Sequence, residues 1–420
     1  MRQGGWDSSE TRAHADSALS LCMWLIGVPV CLFVVLLALR LGSGEKLEKI
    51  SKVDSWREPL PGVRFTPSDF AVLFGQRPDL SQVEWSPTEL PAVVVQAPLT
   101  DIGQDVPVAR LWLRIRYQVP ADLSRGEGLA LHVTRIMGGP YAVWVNGRLL
   151  QTNLDQWRMQ WNIPLLVELP RDVSARGGEI EIELAVPYRL SQGYAVGSAY
   201  VGAVSAVQRI NDVRLFWQSS LPRAAILVAL LLGALALQFW FFLRSETGYL
   251  LLALTSLVWF IANTQYFGDF NDEMTSRWFG ALNDAATSWL VPLITLFAVR
   301  FEAQRWPRLE LFLVLYAGVM TVWTLPMWNW GVYALALQHY VDLLVAFSTF
   351  GLLSWHAIRR GSHEFRVLLA AAWTVALLGL HDIYFLTSQR EPDGLHIFSY
   401  STFAIFGAFL YVELKRCALV

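Results

Sequence analysis

LPRAAILVALLLGALALQFWFFLR, residues 221–244, decides how the chain is read. From Leu221 to Leu243 it is long and apolar enough for a helix crossing a hydrocarbon core, which needs about 20 such residues. Six more apolar runs follow, near 248–266, 279–299, 309–325, 332–355, 367–387 and 395–414. The gaps between runs alternate in charge. One set carries Arg244, then Arg300, Arg305 and Arg308, then Arg359, Arg360 and Arg366, then Lys415 and Arg416. The other set holds Arg277 and Arg390 among acids (Asp269, Asp272, Glu273, Glu391, Asp393), with the uncharged stretch Met327–Trp330 between. Short loops rich in Lys and Arg stay in the cytoplasm. The spacing therefore predicts a seven-helix bundle, residues 221–414, with an inside and an outside.

Upstream, Ala18 to Leu41 is another apolar run without charge from Leu19 through Leu39. It is long for a signal peptide, and no small-x-small cleavage site follows it. We read an uncleaved anchor, with a cleaved signal as the alternative. Residues 1–17 and 415–420 are then cytoplasmic tails. Residues 42–220 then form one domain outside the membrane. The lipid bilayer is the first partner implied.

Composition agrees. Of 420 residues 54% are hydrophobic and 16% charged, against about 25% charged in soluble domains. A net charge of −2 gives no reason to expect nucleic acid. Cys22, Cys31 and Cys417 all lie outside 42–220, so that domain needs no disulfide. Cys417-Ala-Leu-Val has the shape of a prenylation signal, which four residues fit too easily by chance.

The outer domain reads as β. Leu111, Leu113, Ile115, Tyr117 and Val119 alternate with Trp112, Arg114, Arg116 and Gln118, which is period two with one face buried. Leu129–Thr134 and Glu179–Leu184 repeat the pattern. Tyr141–Val145 runs into Asn146-Gly147 and then Arg148–Leu150. Asn-Gly between apolar runs is a strong hairpin signal, because both residues tolerate positive φ. Short antiparallel strands with such turns predict a sandwich.

The order Trp112–Tyr117, Tyr141–Leu149, Ile163-Pro164, Leu169-Pro170 and Ile180–Val186, preceded by Trp85 and Leu90-Pro91, resembles a galactose-binding-like jelly roll. The sugar-binding domain of family 2 glycoside hydrolases is the form it looks like. A jelly roll followed by seven helices is similar to the bacterial receptors called 7TMR-DISM, over about residues 90 to 410. The resemblance implies a multi-pass receptor that senses a carbohydrate-like ligand or a protein. In that family a histidine kinase or diguanylate cyclase normally follows the last helix. Only Lys415 to Val420 stand there in this sequence. Either the output is a separate kinase or cyclase acting in trans, or a longer chain has been cut. A homodimer is one route for the signal.

Candidate site residues fall in two places. The sandwich offers Tyr141, Trp144, Asn146, Trp157, Trp161 and Tyr194, since sugars stack on aromatic faces beside a few polar groups. Alternating Trp in a sandwich is as readily core, and the turn itself requires Asn146. The helices offer an outer layer of Asn283, Asp284, His339, Asp342, His381, Asp382, His396 and Tyr400. Ionisable groups at mid-bilayer cost about 2.5–3.5 kcal/mol each. Three readings compete: a buried network fixing helix register, an outward pocket for a small ligand or proton, and a metal site from His339, Asp342, His381 and Asp382. No cofactor is implied. The chain holds no lysine between Lys52 and Lys415, so the bundle can carry no retinal Schiff base. P-loop, GxSxG, HExxH and CxxC motifs are absent. A receptor without its own catalysis is the main expectation. A metal-dependent membrane hydrolase, or a structural docking subunit of an envelope or polysaccharide assembly, are the alternatives.

Overall fold

The computed structural model describes residues 47–63, 67–94, 108–120, 128–137, 139–153, 162–174, 177–190, 193–267, 273–302, 304–328, 332–388 and 392–418. The anticipated anchor at 18–41 lies outside them. So do Trp157 and Trp161.

The strands are β1 (Leu47–Ile50), β2 (Lys52–Leu60), β3 (Ser86–Glu89), β4 (Ala92–Val94), β5 (Val108–Val119), β6 (Leu129–Val133), β7 (Ile136–Met137), β8 (Ala142–Val145), β9 (Arg148–Thr152), β10 (Leu165–Glu168), β11 (Gly178–Arg189), β12 (Tyr194–Val196) and β13 (Ala199–Ala203). One sheet runs β1-β13-β6-β10 and a second β3-β2-β5-β11-β8-β9, with a small β4-β12-β7 sheet at one end. Leu111, Leu113 and Ile115 of the second sheet share a core with Leu129, Leu131 and Val133 of the first. This is the expected sandwich. The hairpin forms as anticipated: Asn146 has φ 48° and Gly147 φ 77°, joining β8 to β9.

The alternation in β5 holds from Arg114 to Val119 but not before it. Ala109 to Leu113 are all buried. Helix α1 (Pro67–Gly75) covers the other face of the sheet there, where Phe70 and Phe74 pack with Trp112 and Trp144. A strand covered on both faces loses its period-two signature.

Strand β13 passes directly into α3 (Val204–Leu215), after the short α2 (Arg171–Ser174) earlier in the chain. A π-turn at Phe216–Ser220 then leads into α4 (Leu221–Phe242). Pro222 has no amide proton for the carbonyl four residues back, and a widened turn accommodates its ring. The result is one helix from Val204 to Phe242, 39 residues long. Its first half was not foreseen. α3 packs on β6, β10 and β13, so the helix entering the bundle is also part of the sandwich.

The bundle continues with α5 (Thr247–Ala262), α6 (Glu273–Phe301), α7 (Pro307–Trp323), α8 (Val332–Arg360), α9 (His363–Ser388) and α10 (Ser401–Ala418). Among the described residues a helix stands at each of the seven expected runs, but not every one has the length of a membrane span. Among the described residues, four helical stretches are long and apolar enough to cross a membrane: Val204–Phe242, Trp278–Phe301, Leu337–Arg360 and His363–Phe385. α5 has 16 residues and α7 has 17. At 1.5 Å per residue these reach only about 24–26 Å, short of a hydrocarbon core about 30 Å thick. Leu227, Leu231, Phe242, Leu311, Leu315 and Val319 are exposed on the bundle surface, as lipid-facing positions would be. Inside, Gly233 of α4 lies so close to Ser256 of α5 that no side chain fits between them.

Candidate functional site

The polar side chains gather at the end of the bundle that meets the sandwich. They sort into a junction, a layer just beneath it, and a deeper cluster.

The junction is built on Asp393, in the connection between α9 and α10. Its Oδ1 accepts hydrogen bonds from Thr134 Oγ1 at 2.5 Å and from the Ser198 amide at 2.8 Å, and its Oδ2 accepts from Ser198 Oγ at 2.6 Å. Thr134 and Ser198 belong to the sandwich and are buried. Arg214 of α3 donates to the Asp393 carbonyl at 2.6 Å, and through Nε to Gln218 Oε1 at 2.9 Å. Gly197 must be glycine, since any Cβ there would strike Thr134 Oγ1 and Asp393 Oδ1. Burial acts to raise the Asp393 carboxyl; the bonds from Ser198 and Thr134, with Arg214 nearby, outweigh it and hold the group below the usual carboxylate range. A sandwich residue, Arg135, is buried here within electrostatic reach of Arg214, Tyr266, Asp382 and Asp393.

Beneath lies Asp382 of α9. It accepts from the amides of Ile397 at 2.8 Å and Phe398 at 2.9 Å, and lies 2.9 Å from His381 Nδ1. His396 Nδ1 is 3.7 Å away. The carboxylate thus holds the turn that starts α10, as an anion at a helix N-terminus does. The Tyr400 hydroxyl donates to the Trp217 carbonyl in the π-turn, tying α10 to the long helix. Tyr266 and Ser399 share a hydrogen bond at 3.2 Å.

The deeper cluster joins α6, α7 and α8. His339 lies between Asp284 at 3.5 Å and Asp342 at 3.6 Å. Asp342 accepts from Ser288 Oγ at 2.8 Å and from the Tyr316 hydroxyl. Gln338 Nε2 donates to Ser288 Oγ at 3.1 Å. Asn283 stands apart, donating to the Ala262 carbonyl at 2.9 Å and to Gln265 Oε1 at 3.0 Å, where it closes the end of α5. The eight expected residues are thus divided. His381, Asp382, His396 and Tyr400 serve the junction, Asp284, His339 and Asp342 lock three helices together, and Asn283 caps a fourth. Among the described residues no three His, Cys, Asp or Glu side chains gather closely enough to hold a metal ion.

In the sandwich, Trp144 is buried, 5.0 Å from Trp112 and 6.3 Å from Phe74 between ring centroids. Tyr194 is buried edge-on to Tyr188 at 4.9 Å. Tyr141 is half-buried, and Gln151 Nε2 donates to its hydroxyl at 3.2 Å. Asn146 Oδ1 accepts from the Glu181 amide at 2.9 Å, holding the turn. Asn146 also borders a depression of about 170 Å³, lined by Val145, Arg148, Leu150, Pro170, Asp172 and Val173. Sequence reading missed Thr134, Ser198 and Arg214. For Thr134 and Ser198 the signal was a polar residue beside an apolar strand; Arg214, in a polar helix, gave none.

No family description matches the chain, and no curated protein matches it. Solved structures do show a partial likeness. A beta-glucuronidase of Ruminococcus gnavus is 12% identical, with a TM-score of 0.24 over 38% of this chain and 29% of that one. Its apo form gives 0.26 over 38% and 30%. The beta-glucuronidase of Faecalibacterium prausnitzii is 17% identical, with a TM-score of 0.22 over 34% and 22%. The match spans less than a third of the length of each of these enzymes.

Proposed function

We propose that this chain is a bacterial inner-membrane receptor of the 7TMR-DISM type, with a galactose-binding-like jelly roll as its sensor. All seven helices cross the membrane in this reading, the shorter ones where the bilayer thins or the helix tilts little. The basic gaps face the cytoplasm and the sandwich faces the periplasm. A carbohydrate-like ligand or a protein binds the sandwich; the depression beside Asn146, with Arg148 and Asp172 on its lining, is the first place to seek a small polar ligand. The bundle passes the change to a kinase or cyclase in trans, directly or through a homodimer. The chain catalyses nothing itself.

One observation carries the reading. The sandwich is joined to the bundle by the continuous helix Val204–Phe242 and by Asp393 reaching back to Thr134 and Ser198. A ligand that shifts the sandwich must move one or the other. Such a relay needs a ligand with different affinity for two arrangements.

The experiment locks the junction. A Ser198→Cys, Asp393→Cys pair, oxidised in membranes, should freeze kinase or cyclic-dinucleotide output, and reduction should restore it. Affinity purification of the full chain should retain the signalling partner. If no partner is retained, and deleting the protein leaves those outputs unchanged, the receptor reading fails. Stoichiometric zinc in the purified protein, lost on His381→Ala, would favour the hydrolase instead.

A further inference from the structure

At the end of the bundle remote from the sandwich, two turns are laced together. The Ser362 amide and hydroxyl donate to Glu302 at 2.9 and 2.7 Å. The Trp306 ring meets His356 edge-on with centroids 5.3 Å apart. This brings the α6–α7 and α8–α9 connections into one corner. Six arginines stand there (Arg300, Arg305, Arg308, Arg359, Arg360 and Arg366) with three acids, Glu302, Glu310 and Glu364.

All three acids are already committed, Glu364 to Lys415 of α10. Glu302 is held by Ser362. Glu310 takes two N–H bonds from Arg300, at 2.7 and 2.6 Å, and one from the Trp306 amide at 2.9 Å. Arg366 donates to the carbonyls of Ala357 and Gly361, both at 3.2 Å. Arg305, Arg308, Arg359 and Arg360 are exposed, and among the described residues none of the four makes an ion pair within 4 Å, although Arg305 lies within electrostatic reach of Glu310. The Arg359 guanidinium carbon lies over the Trp355 ring, 3.9 Å from its centroid. Stacking fixes the plane of a guanidinium and leaves its N–H edge open.

The neighbours of these arginines are apolar and equally exposed: Leu311 and Phe312 one turn from Arg308, Trp355 and Ile358 beside Arg359. An acidic soluble partner would answer the charge and leave that belt in water. A lipid answers both, with a phosphate against the guanidinium edges and acyl chains along the belt. Arg binds phosphate through paired N–H bonds. We propose that this corner seats the phosphate of an anionic lipid headgroup. The inference rests on the bundle lying in a bilayer and on nothing in the sensing reading.

The test uses the purified full chain in neutral detergent, with bound lipid counted by native mass spectrometry. Phosphatidylglycerol should be retained at least tenfold more strongly than phosphatidylcholine of the same chains. Arg359→Gln with Arg360→Gln should weaken that binding roughly 30-fold, taking about 1 kcal/mol per arginine near a membrane surface and 1.4 kcal/mol per tenfold change. The corresponding double Lys variant should keep most of it. Arg308→Gln alone, an exposed single change, should weaken it about fivefold. Arg209→Gln, on the exposed face of α3, should change nothing. Equal retention of the two lipids would overturn the proposal, as would full binding by a folded double Gln variant. Displacement of phosphatidylglycerol by inorganic phosphate at equal concentration would also overturn it, by assigning the corner to a soluble anion.

Discussion

Acidifying the medium from pH 7.5 to 5 should loosen the sandwich from α3, because of His132. This imidazole is wholly buried on β6, facing Asn211 and Arg214 of α3, with Tyr200 of β13 at 6.1 Å between ring centroids and Asp393 reaching in from the α9–α10 connection. Neither ring nitrogen has a partner at full hydrogen-bond geometry, and the Leu165 backbone and Asn211 side chain nearby favour the charged form only weakly against the burial. Burial first, and then the Arg214 guanidinium, push it down from 6.5 to about 4. A histidine depressed in this way binds its proton more weakly when folded than when unfolded. It costs nothing above pH 6.5, its penalty grows as pH falls, and the penalty is complete below about 4. Each pKa unit is worth about 1.36 kcal/mol, so the loss at pH 5 is about 2 kcal/mol, or roughly 30-fold in the folded ratio. Denaturant unfolding of the full chain in detergent measures it, with wild type and His132→Met compared at both pH values. Methionine fills a similar volume and carries no proton. The variant should lose about 2 kcal/mol less than wild type on acidification. Equal losses in the two chains would mean that the imidazole is not held neutral in the folded state, and the reasoning would be wrong.

Three further outcomes follow from the packing. Asp393→Ala removes the acceptor for two hydroxyls and an amide and should cost about 3 kcal/mol; hydrogen exchange should quicken at Thr134 and Ser198 while α8 stays protected. Gly233→Leu forces α4 away from Ser256 and should cost roughly 1–3 kcal/mol or more, seen as a lower unfolding temperature with the sandwich still resistant to protease. Trp144→Ala opens a cavity against Trp112 and Phe74 and should cost about 3–5 kcal/mol. Unfolding followed at the sandwich should shift, whereas unfolding of the bundle should not.

The sandwich was legible because its strands carry their environment in their spacing. Ile115, Tyr117 and Val119 face one way and Arg114, Arg116 and Gln118 the other, and Asn146-Gly147 states its own turn. Where a second layer covers the sheet, as α1 does over Trp112, the spacing falls silent. Length is a harder quantity. Apolar runs at 248–266 and 309–325 each promised a span, yet α5 and α7 end after 16 and 17 residues. Composition records that a segment avoids water but does not say where its last turn closes.

By itself, the sequence determined the two halves of the protein, the class of each, and which helix connections carry the basic charge. These follow from local rules: hydrophobic period, turn chemistry and charge sign each act within a few residues. Only the tertiary structure decided that Val204–Phe242 is one helix shared by both halves, that Asp393 belongs with Thr134 and Ser198, and that His132 lies against Arg214. Those pairings join residues as many as 259 positions apart. No local preference specifies a contact at that distance, since it forms only once both halves are folded and their surfaces meet.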